Sequence, residues 1–135
     1  PMIDIQYTIE TEQYGNKTGN RLFIPANIFR KGFTTPDLKQ RVQDIHINYG
    51  YLDTDSICLQ IPEGYTIESL PKTCQVTSSF GSFSSSLMIK DKEICIIHRL
   101  LMHRGIYPKE IYKDFLEFRK QIAAQYSSKI ILKKE

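Results

Sequence analysis

Three thiols, Cys58, Cys74 and Cys95, share this chain with three imidazoles, His46, His98 and His103. These are the residue types of a Cys-His nucleophile pair, in which a neighbouring base raises the thiolate fraction. Their setting argues against that chemistry. A reactive thiol sits at a helix N-terminus or on a strained loop, where a positive dipole stabilises the anion. All three cysteines here fall in or beside stretches that alternate like strands. An odd number of thiols, separated by 16 and 21 positions, fits neither a dense disulfide framework nor a CxxC pair, and at most one bridge can form. Their expected role is that of small apolar fillers on strand faces, and whether any two are bridged is left open.

Metal binding needs ligands that converge. His98 and His103, five positions apart, point to opposite faces of an ideal strand, and His46, set between Ile45 and Ile47, falls on a solvated polar face. Asp53-Thr54-Asp55 lacks the Gly and the later Glu that close a calcium loop, and reads as a hairpin turn. Glu63, Glu68 and Glu93 carry nothing that would separate two carboxyl pKa values for acid–base work. Tyr49 and Tyr51 share a strand face, where exposed rings would stack on a sugar or a peptide. Alternating aromatics usually pack as half-buried cross-strand partners, and that is the reading adopted. Asn16-Lys17-Thr18 is a glycosylation sequon to which no weight is given. No catalytic residue, metal ligand or cofactor-binding residue is therefore expected, and no cofactor.

The elements that would have to position any site are mostly strands. Ile3, Ile5, Tyr7 and Ile9 alternate with Asp4, Gln6, Thr8 and Glu10, predicting a first half-buried strand. The turn cluster from Tyr14 to Asn20 leads to a second, Arg21 to Ile24, stopped by Pro25. From Pro25 to Gln40 no period holds; an irregular connection is expected, pinned to the core by Ile28, Phe29 and Phe33. Ile45 to Tyr51 and Ile57 to Ile61 read as a hairpin turning at Leu52 to Asp55. A type II turn follows at Pro62-Glu63-Gly64-Tyr65, then an extended piece from Tyr65 to Leu70. Another hairpin turns at Gly81, and Lys90-Asp91-Lys92 leads into Glu93 to Met102, whose apolar residues at both parities predict a central strand covered on both faces.

At Pro108 the period changes. Ile111, Phe115, Phe118, Ile122 and Tyr126 recur at helical steps, Pro108 suits the first helical position, and Ser127-Ser128 ends the segment before a closing strand, Ile130 to Leu132. The fold class expected is mainly β: an antiparallel two-sheet β-sandwich with one amphipathic C-terminal helix and a short closing strand. Residues 1–135 form a single domain, read as a fragment of a longer multidomain chain because it starts at Pro1.

Composition narrows the partners. Eighteen Lys and Arg against fifteen Asp and Glu leave +3, spread and mixed in sign, without the clustered basic and aromatic residues of a nucleic-acid face. No apolar run approaches the ~18 residues of a membrane helix.

Ile61-Pro62-Glu63-Gly64-Tyr65, then Glu68, Leu70, Pro71, Phe80-Gly81, Arg99, Tyr107, Tyr112, Phe118 and Ile131-Leu132, resemble the C-terminal domain of transglutaminase-like proteins of the Bacteroidetes type. The resemblance runs over roughly residues 20 to 134. It implies an exported or periplasmic protein in which a papain-like catalytic core precedes this domain in the same chain. The role it implies is accessory and non-catalytic: no residue here matches the core's Cys, His and Asp. The alternative is an independent carbohydrate- or peptide-binding module acting on cell-envelope glycan or peptide.

Overall fold

The computed structural model describes residues 2–29 and 34–135. Phe33, expected to anchor the long connection, lies outside them. The architecture is mainly β, with antiparallel sheets, one C-terminal helix and a closing strand.

Four strands make the larger sheet: β4 (Tyr51–Gln60), β8 (Glu93–Met102), β7 (Gly81–Lys90) and β6 (Cys74–Ser78), in the order β4-β8-β7-β6. The smaller sheet runs β1 (Asn16–Thr18), β2 (Arg21–Pro25), β10 (Lys129–Lys134) and β5 (Tyr65–Ser69), in the order β1-β2-β10-β5. A two-stranded ribbon pairs β3 (Ile45–Ile47) with β9 (Gly105–Tyr107). The 3-10 turn Lys109–Ile111 leads into helix α1 (Tyr112–Tyr126).

The inner face of the larger sheet is covered in two halves, and β8 carries both. Ile94 and Ile96 pack with Ile24, Ala26, Ile130 and Leu132 of the smaller sheet and its flank; Leu100 and Met102 pack with Phe80, Phe83, Leu116, Phe118 and Ile122 under α1. The two sheets thus form a sandwich-like arrangement at one end, with the helix completing the core at the other. The helix ends where Ser127 donates its hydroxyl to the Ala123 carbonyl, and Ala26 N–H bonds to Ser128 O, seating β10 beside β2.

Two turns follow the local chemistry. Tyr65 N–H reaches the Pro62 carbonyl across Gly64 at φ 75°, and Gly81, at φ 150°, lies so close to the Leu101 carbonyl that a Cβ would fall 1.9 Å from its oxygen. Only glycine fits there.

Several expectations are corrected. Residues 2–15 form neither helix nor strand, and Ile3, Ile5, Tyr7 and Ile9 are exposed: the alternation is present but no sheet edge among the described residues receives it. Ile28 and Phe29 are exposed rather than pinned. Leu52 to Asp55 is not a turn. It lies inside β4, a continuous ten-residue strand that pairs along its whole length with β8, while β3 pairs with β9 instead. Acidic residues suggested a turn, but Asp53 and Asp55 keep the period of two and take the half-buried face. β8 is central, yet only its inner face is fully covered. On the outer face Cys95 is buried, whereas Ile97, Arg99 and Leu101 are exposed.

Candidate functional site

The residues most capable of chemistry meet where the two halves of the core join. On the inner face of β8, His98 separates the Ile94–Ile96 half from the Leu100–Met102 half. The strand register places Ser85 of β7 on one side of it and Asp55 of β4 on the other, so a Ser, a His and an Asp stand in one row across three strands.

That row is not wired as a nucleophile relay. Asn27, just past β2, donates through Nδ2 to Asp55 Oδ2 at 3.0 Å and to His98 Nδ1 at 2.9 Å, while its Oδ1 accepts the Phe29 N–H at 2.8 Å. The Phe29 bond fixes which end of the amide is the donor, so His98 Nδ1 accepts and the ring proton of the neutral imidazole sits on Nε2. Nε2 is buried with no hydrogen-bond partner, so Ser85 does not bond to it. The imidazole is 1% exposed, with Tyr126 edge-on at 5.3 Å and Phe83 at 5.7 Å between ring centres. Burial pushes its pKa below the ordinary value, against the attraction of Asp55. A positioned base needs access to a substrate proton; this ring has none.

Around the row lies a wider polar group. The Tyr126 phenol is pushed up to about 12, first by burial and then by the negative charges of Asp55 and Asp53. Arg119 on α1 is lowered by burial, with Tyr51 and Tyr126 acting in the opposite direction. Tyr51, Arg119 and Tyr126 thus lie within electrostatic reach of one another beside the acidic residues of β4.

The thiols are accounted for. Cys58 and Cys95 stand directly opposite each other on β4 and β8 and form a disulfide on the outer face, beside Glu93. Together these three residues form the one His/Cys/Asp/Glu cluster of metal-binding size among the described residues, but the bridge ties up both sulfurs as donors. Cys74 is free, half-buried against the helix side of the core, and its pKa is raised by burial. His46 and His103 are exposed, as a polar strand face and a strand end require. Glu68 is paired with Arg21 through two hydrogen bonds of 2.6 and 2.8 Å.

The tyrosine expectation is corrected. Tyr49 is 82% exposed and Tyr51 43% exposed. Tyr49 lies outside any strand, at the end of the β3–β9 ribbon, so it has no cross-strand neighbour to bury it. With His46, Arg104 and Ile106 it rims a shallow depression of about 400 Å³. A second depression, of about 340 Å³, lies between the β6–β7 turn and α1 and carries Asp114 and Glu117 over Phe80 and Phe118.

Sequence reasoning missed Asn27, Ser85 and the Asp55–His98 register. Strand periodicity was the available signal: once Asp55 is kept in phase with Ile57 and Leu59, it falls on the covered face and requires a polar partner.

Residues 20–132 match the family model of DUF3858, a domain of unknown function. The chain belongs to that family. The matched span covers every element from β2 to β10 apart from its last residues, so it includes both halves of the core and the Asn27–Asp55–His98 tie. No curated protein and no solved structure matches this DUF3858 domain. No helix among its described residues is long and apolar enough to cross a membrane.

Proposed function

We propose that this DUF3858 domain is a non-catalytic accessory module of an exported transglutaminase- or protease-like protein, of the Bacteroidetes type its turn and packing residues resemble. It packs against, or guides substrate to, a catalytic core that precedes it in the same chain. The observation that carries this reading is the sealed Ser85–His98–Asp55 row. Its imidazole is spent on an internal tie to Asn27, and its free nitrogen faces the core. The Cys58–Cys95 bridge supports export, because disulfides persist in oxidising compartments such as the periplasm.

The test is a calorimetric titration of the domain into the separately produced catalytic region, with activity measured in its presence and absence. Binding with altered turnover or substrate affinity is expected. No heat and no change in activity would overturn the reading.

Exposure of Tyr49 beside His46 and Arg104 favours a second reading, an independent carbohydrate- or peptide-binding module. A cell-wall glycan and peptide screen checks it: a hit abolished by Tyr49→Ala supports it, and no hit, or a hit that survives the substitution, counts against it.

A further inference from the structure

Ile3, Ile5, Tyr7 and Ile9 keep the alternation of a strand, stand 68–81% exposed, and belong to no sheet. An extended segment with one apolar face and free backbone groups is complete only beside a sheet edge, where main-chain hydrogen bonds hold it and the apolar face is covered. Seven residues from Ile3 to Ile9 extend about 23 Å.

The edges differ in their capacity to take them. β1, β3 and β9 have three residues each, and β5 and β6 have five. β4 has ten and pairs with β8 alone among the described residues. Among the described edge strands, only β4 is long enough for the whole segment.

The chemistry of β4 also sets which face the segment presents. Asp53 and Asp55 occupy the inner side of this edge, and Asn27 ties Asp55 to the stretch that carries the exposed Ile28 and Phe29. With its apolar residues on that side, the segment covers Ile28 and Phe29 and turns Asp4 and Glu10 towards the outer face, beside Thr54 and Ser56. The opposite orientation would set Asp4 and Glu10 next to Asp53 and Asp55, and like charges across a strand pair are destabilising.

We propose that residues 3–9 add as an edge strand to β4 of a second copy of this chain. Each copy carries both the segment and the edge, so the exchange is reciprocal and closes on a twofold axis. In the conformation described, the segment does not pair with its own β4.

Sedimentation equilibrium of the 135-residue chain over a concentration series, combined with hydrogen exchange, tests this. The expected result is a dimer in which amides of residues 3–9 and of β4 slow together, by at least about tenfold, as concentration rises. Ile5→Asp with Tyr7→Asp should yield a monomer in which the amides of β7 and β8 stay as protected as before, since neither side chain is part of the core. A monomer at all concentrations overturns the proposal. So does a dimer whose segment exchanges like free peptide, and so does a monomer whose segment is protected, which would place the strand on its own β4.

Discussion

Burial holds the His98 pKa below its ordinary 6.5, so the unfolded chain takes up this proton before the folded one does. The stability at stake is present in full above 6.5 and is lost as the pH falls through that value towards the folded pKa. Denaturant midpoints should therefore be lower at pH 5 than at pH 8, and His98→Gln should flatten that difference. Tyr126 acts at the other end of the scale. With its phenol pushed up from 10 to about 12, the unfolded chain ionises first, and stability should fall as pH rises from 10 towards 12. Absorbance at the phenolate band should show one tyrosine titrating late, and Tyr126→Phe should remove it. The individual histidines were legible in the sequence only as faces of strands. The sequence set His98 against His103, five positions apart on opposite strand faces, and in the structure His98 is buried while His103 is exposed. Its actual partners, Asn27 and Asp55, are 71 and 43 positions away, and no local period connects residues that far apart.

Elements bounded by a change of period or a glycine were legible. The closing strand β10, the β6–β7 hairpin and the turn at Gly64 lie where the pattern put them, because each is specified by local backbone and packing constraints, whereas the helix expected from Pro108 begins at Tyr112, after a 3-10 turn that Pro108 precedes. Gly81→Ala should cost ~3 kcal/mol or more, measured by urea unfolding, since the new methyl would strike the Leu101 carbonyl. β4 was misread because acidic residues mark turns when exposed, whereas here Asp53 and Asp55 are held in phase by ten consecutive pairings with β8. The same pairing sets Cys58 against Cys95 and makes the bridge a clamp between β4 and the central strand, closing a loop of 37 residues. Replacing Cys58 and Cys95 with serine should lower stability by about 2–4 kcal/mol, as expected when loop-closure entropy returns to the unfolded chain. Cys74 should react with thiol reagents more slowly in the native protein than in denaturant, because partial burial disfavours its thiolate.

Two clusters of buried residues, one under the smaller sheet and one under the helix, could in principle melt separately, and the molecule would then be two weakly coupled halves. The structure opposes this, because β8 supplies Ile94 and Ile96 to one cluster and Leu100 and Met102 to the other, with the Asn27–His98 bond spanning the joint. Opening either half exposes one face of a strand on which the other half depends. Ile122→Ala under the helix and Leu132→Ala in the closing strand both remove side chains from fully buried positions. Each should cost about 2–5 kcal/mol. If the domain folds as one unit, the two variants should show a single lowered transition that coincides in near-UV and far-UV signals, and the double variant should lose about the sum of the two. A residual helical transition surviving in Leu132→Ala would mean that His98 marks a boundary between two units.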